Sequence, residues 1–122
     1  MVLGIGTDLV SAERMRRLLE GDRFSEITFS EAEAAIISSR PDPLYAYSAR
    51  YAGKSAVRKA LRAPGDLPLS EIEILEDENG APAVTLLGQA AAYAEARGVR
   101  RTELSLSYEQ SAALAVAVAF SD

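Results

Sequence analysis

The 122-residue sequence predicts an α+β fold, a mostly antiparallel sheet with helices gathered over one face. Three observations carry this expectation. Residues 71–75, 102–107 and 113–120 repeat with a period of two, the signature of strands. Asn79-Gly80 lies between two extended runs and marks a hairpin. Between these segments the apolar and small residues recur at helical spacing, bounded by recognisable start and stop signals.

In chain order, residues 2–8 read as a first strand whose Gly4 and Gly6 stand where a backbone or a ligand must come close. Asp8 ends that strand and is the first candidate site residue, with capping of the next helix as its plainer role. Residues 12–20 form an amphipathic helix, with Met15, Leu18 and Leu19 inward and Gly21 as the stop. Phe24 and Phe29 flank a short connection. Ser30-Glu-Ala-Glu33 is a capping box, which gives Glu33 a local job, and Pro41 and Pro43 end the helix that follows. Residues 71–75 and 82–86 pair as a hairpin, residues 88–97 form an alanine-rich helix closed by Gly98, and two strands finish the chain. The last strand puts Leu114, Val116, Val118 and Phe120 on one face and alanines on the other. Alanines suit a closely packed helix, and the second apolar face calls for a cover, such as another subunit.

The stretch 47–62 organises the rest. As a helix it sets Arg50, Lys54, Arg58 and Arg62 at i,i+4 steps and Ala49, Ala52, Gly53, Ala56 and Ala60 on another side. Between Pro43 and Gly65 there are five cations, both lysines of the protein (Lys54 and Lys59) among them, and no acid. In a chain of net charge −5 that concentration points to an anion site, of which phosphate is the expected occupant, against the alternative of a solvated helix face.

Composition narrows the chemistry. There is no Cys and no His, so any catalysis runs on carboxylates, hydroxyls, cations or a metal held by oxygen. The cysteine count fits a cytoplasmic protein, no run is long and apolar enough to span a membrane, and no signal peptide is expected. A pI near 4.8 argues against broad nucleic-acid binding. The chain is read as one domain over residues 1–122, with no repeat or linker.

With these pieces in place, the sequence resembles the holo-acyl-carrier-protein synthases, the small single-domain group of 4′-phosphopantetheinyl transferases. The resemblance rests on Gly4-Ile-Gly-Thr-Asp8, Phe29-Ser-Glu-Ala-Glu33, Ala49-Arg-Tyr-Ala-Gly-Lys54 with Lys59-Ala-Leu61, Gly80-Ala-Pro82, and Ser105-Leu-Ser107, in order and nearly end to end. It implies transfer of phosphopantetheine from coenzyme A to a serine of an acyl carrier protein, with Mg²⁺ on the pyrophosphate, in homotrimers with sites between subunits. Carried over by position, Asp8 is the metal-binding aspartate and Lys54 the phosphate-binding lysine, both catalytic. Arg50, Lys54, Arg58 and Lys59 are the candidate coenzyme A contacts.

Three positions depart from the family pattern. The glutamate after the lysine, which binds the metal, is Ser55; the histidine that contacts coenzyme A is Tyr108, followed by a matching Glu109; and the acid three residues after the aspartate is Ser11. A serine supplies neither the charge nor the basicity of a carboxylate. Two functions therefore stay open: a transferase with a weakened site, or a relative that kept the carrier-protein or coenzyme A surface for another role.

Overall fold

The computed structural model describes residues 1–122. Five strands form two antiparallel sheets. β1 (Val2–Ser11), β4 (Arg101–Glu109) and β5 (Ala112–Phe120) make a three-stranded sheet in the order β1-β5-β4, while β2 (Ile72–Glu76) and β3 (Pro82–Leu86) pair by themselves. The helices are α1 (Ala12–Leu19), α2 (Phe24–Thr28), α3 (Glu31–Ser38), α4 (Pro43–Ala60) and α5 (Gly88–Ala96), and a 3₁₀ turn, Leu69–Glu71, leads into β2.

The long helix α4 lies on the three-stranded sheet because both surfaces are small. Ala113, Ala115, Ala117 and Ala119 of β5 are at most 1% exposed, and Ala52, Ala56 and Ala60 of α4 are fully buried against them in one core. Gly4 and Gly6 complete the fit. A Cβ at Gly4 would sit 1.9 Å from the Ala60 carbonyl oxygen, and one at Gly6 would sit 2.0 Å from that of Ala56. The two glycines of β1 thus serve the approach of a helix backbone. A second, smaller core of Met15, Phe29 and Ile37 sits between α1, α3 and α4.

Three details differ from the sequence expectation. The single sheet is two sheets, with the β2–β3 pair standing apart from β1-β5-β4. Helix α4 begins at Pro43, four residues before the expected start, because a proline that stops one helix is also well placed as the first residue of the next. The connection between Phe24 and Phe29 is the short helix α2, with Phe24 packed edge-on against Phe29. The outer face of β1 and β5 is open: Ile5, Leu9, Leu114 and Val116 are all exposed, with Ile5 opposite Val118 and Leu9 opposite Leu114.

Candidate active site

The cations of α4 differ in what they meet. Arg50 Nε donates to the carbonyl of Ile74 at 3.1 Å, Lys54 Nζ to those of Ile72 at 2.7 Å and Leu69 at 2.9 Å, and an Arg58 guanidinium nitrogen to that of Leu67 at 3.2 Å. Successive helical turns thus read successive carbonyls of the segment that leads into and through β2. The free edge of β2 is thereby occupied by side chains, and β2 pairs with β3 alone. Glu33 completes the edge, accepting from the Ile74 amide at 2.8 Å and from the Ser30 amide at 2.9 Å, with Lys54 Nζ 2.5 Å away. Both side chains of that ion pair are wholly buried.

Lys54 therefore departs from its expected role as a phosphate ligand. An ammonium has three protons, and here they meet two carbonyls and a carboxylate with no exposed surface left for a substrate. Burial pushes its pKa down, against the upward pull of Glu33, and burial likewise lowers that of Arg50. Glu33 is more than a cap, since one carboxylate closes α3, fixes β2 and neutralises Lys54. Arg62 lies beyond the helix, at φ 56°.

Lys59 is different. It is offset from the stripe, and it is the only charged residue of α4 that is exposed. Its Nζ donates to the Thr7 carbonyl at 2.9 Å and lies 3.4 Å from Asp8 Oδ1, with side-chain exposures of 55% for the lysine and 14% for the aspartate. The contacts of Gly4 with Ala60 and of Gly6 with Ala56 set the register. Two strand residues and one helical turn both advance about 6 Å, so Asp8 is level with the turn that carries Ser55.

A cleft of about 410 Å³ opens on another side of the molecule. Arg50 from α4, Gly80 and Pro82 from the β2–β3 hairpin, and Leu106 and Tyr108 from β4 line it. Three sequence fragments separated by dozens of residues meet there. Tyr45 adds a second aromatic ring, its centroid 4.7 Å from that of Tyr108, and Arg40, paired with Glu76, closes the rim. Tyr45 and Arg40 belong to no motif in the sequence; only the path of α4 brings them here. The cleft offers guanidinium groups and a flat aromatic wall, a combination that suits an anion attached to a planar ring. Arg58 and Glu109 are not among its lining residues.

The model of the 4′-phosphopantetheinyl transferase superfamily matches residues 4–118. The chain belongs to that superfamily. It is 39% identical over 120 residues to the holo-(acyl-carrier-protein) synthase of Salinispora arenicola, covering 98% of each chain. Among solved structures it is similar to the holo-(acyl-carrier-protein) synthase of Neisseria meningitidis, with a TM-score of 0.89, 32% identity, and 98% and 99% of the two chains covered. The Helicobacter pylori synthase, solved in complex with coenzyme A, superposes with a TM-score of 0.81 at 25% identity over 95% of this chain and 99% of that one. These likenesses run through both sheets and all of α4, so the superfamily's fold is the fold of this chain.

Proposed function

We propose that the protein transfers the phosphopantetheine arm of coenzyme A to a serine hydroxyl of an acyl carrier protein. The serine oxygen bonds to the phosphorus that carries the pantetheine, the pyrophosphate bond breaks, and 3′,5′-ADP leaves. The observation that carries this reading is the convergence of Arg50, Gly80, Pro82 and Tyr108 on one cleft. In the cleft the two tyrosines offer a face to the purine, and Arg50, anchored through its Nε, keeps its terminal nitrogens for a phosphate.

The working unit is a trimer. Arg50 and Lys59 lie nine residues apart on α4, about half a turn out of phase, so the cleft and the Asp8–Lys59 pair face opposite ways within one chain. A neighbouring subunit has to bring its own cleft to that pair. The exposed apolar face of β1 and β5 gives the neighbour a surface to bury. The trimer works in the cytoplasm, a reading supported by the absence of cysteine; no helix is long and apolar enough to cross a membrane.

The residues beside Asp8 do not fit a resident Mg²⁺. Asp8 is a lone carboxylate next to an ammonium, and Ser55 is a neutral ligand at best. Mass spectrometry of an apo acyl carrier protein incubated with coenzyme A and the protein tests the reading. The expected outcome is the added phosphopantetheine mass; no transfer with or without Mg²⁺ overturns it and favours the alternative, a binding partner that lost its chemistry with the glutamate that Ser55 replaces. For the shared site, Asp8→Asn and Tyr108→Ala proteins are unfolded together and refolded as mixed oligomers. Recovered activity supports a site built from two chains, and none sinks it.

A further inference from the structure

The cleft between α4 and the β2–β3 hairpin carries an anion of its own. We propose that Glu76 is a resident counter-anion: it holds Arg40 while the cleft is empty, yields it to a phosphate of an incoming purine nucleotide, and recaptures it as the nucleotide leaves. Naming 3′,5′-ADP as the nucleotide that leaves rests on the transferase reading; the exchange at Arg40 is a matter of binding alone.

Three observations carry the proposal. The first is where Glu76 stands. Side chains alternate along β2, so Ile72, Ile74 and Glu76 share one face, and the two isoleucines are buried in the core. An acid at the end of that apolar face adds nothing to the core; Glu76 lines the cleft instead, breaking the local pattern as residues at functional sites do. The second is what it holds. Glu76, the last residue of β2, accepts from a guanidinium nitrogen of Arg40, two residues beyond the end of α3, so the pair ties two walls of the cleft together. Neither side chain makes any other hydrogen bond, and both are about 40% exposed, so each can trade its partner for water or for a ligand. The third is charge. The charged residues lining the cleft are Arg40, Arg50, Asp42 and Glu76, two of each sign. Burial lowers the pKa of Arg50, Glu76 pulls it up and Arg40 presses it down, so one carboxylate acts on both arginines. A phosphate monoester brings nearly two negative charges and three acceptor oxygens, and it attracts the two guanidinium groups more strongly than a single carboxylate does. Once displaced, Glu76 is a like charge beside the bound phosphate, which weakens the complex and speeds its departure.

Calorimetry of the full-length protein with 3′,5′-ADP tests the exchange, with a circular dichroism melt confirming that each variant folds. Glu76→Gln keeps the size of the side chain and removes its charge, and should tighten binding by about threefold or more. Stopped-flow displacement of the bound nucleotide should show the gain as slower departure. Arg40→Ala should weaken binding, and adding Glu76→Gln to it should restore nothing, because the group that Glu76 withholds is gone. Asp42 lines the same cleft without an ion pair and without capping α4 through its side chain, so Asp42→Asn should change affinity by less than about twofold. A gain below about threefold in Glu76→Gln overturns the proposal. So does a gain that persists in Arg40→Ala or is matched by Asp42→Asn, since either shows a general field and no exchange at Arg40. A gain that lies wholly in faster association removes the part of Glu76 in release. If these binding results hold and no phosphopantetheine reaches a carrier protein, the transferase reading falls and the exchange stands; no binding of 3′,5′-ADP at millimolar concentration overturns both.

Discussion

Helix α4 carries two kinds of positive charge, and comparing them explains how this molecule uses its few basic residues. At Lys54 the ammonium is wholly buried and paired with an equally buried Glu33; at Lys59, five residues on, it is 55% exposed beside Asp8. Both are lysine–carboxylate pairs on one helix. The first is surrounded by carbonyls whose positions are fixed by β2, so breaking it leaves a charge in a place with no water. The second opens onto solvent, so each partner can exchange the other for water or for a ligand. Burial makes one pair a structural joint and leaves the other free to be a binding group.

Removing Glu33 tests the contrast most severely. Glu33→Ala strands the Lys54 ammonium and the Ile74 amide, and should cost about 3–5 kcal/mol in urea denaturation, as loss of one partner of a buried pair does. Adding Lys54→Met to it should cost much less than the sum of the two single changes, because the stranded charge goes too. If the two losses simply add, the pair is not the joint described here.

Next in size is the helix approach that keeps Lys59 over Thr7. Gly6→Ala places a methyl against the backbone of α4, with no flexible side chain to give way. It should lower stability by about 1–3 kcal/mol and weaken coenzyme A binding along with it. An alanine variant of unchanged stability would show that β1 and α4 do not pack at this distance.

The titration of the two lysines sharpens the comparison further. Because burial lowers the pKa of Lys54, its Nζ resonance should titrate below the ordinary lysine value of 10.5. The sign for stability follows. Between the folded pKa and 10.5 the unfolded chain binds more protons than the native one, so stability rises with pH in that window as the burial penalty on the charge is relieved. A Lys54 resonance that titrates above 10.5 would mean that Glu33 outweighs burial.

The smallest effect is expected at the exposed pair. Lys59→Ala should change stability by under about 1 kcal/mol, the usual worth of an exposed ion pair, while its effect on coenzyme A is many times larger in proportion. A large loss of stability there would make the Asp8–Lys59 pair a second structural joint and remove the distinction.

Much of the fold could be read directly. Alternation at residues 113–120, the Asn79-Gly80 turn and the capping box at Ser30 each report a local rule that the tertiary structure obeys. The fragments that carry the family likeness were legible as well, because motif order survives in a linear string. The site was only half legible. Spacing put Arg50, Lys54 and Arg58 on one side of a helix, as they are, but spacing cannot tell a stripe facing water from one facing the carbonyl edge of another strand. Arg40 and Tyr45 carried no motif that could announce them.

The sequence by itself determined the elements, their caps and the alanine and glycine surfaces, since those follow from backbone preference and side-chain size within a few residues. Only the tertiary structure decided which charges are spent inside the protein and which remain for a substrate. The worth of a charge depends on the dielectric around it and on the partner opposite, and both are supplied here by segments tens of residues away: Glu33 and β2 for Lys54, β1 for Lys59.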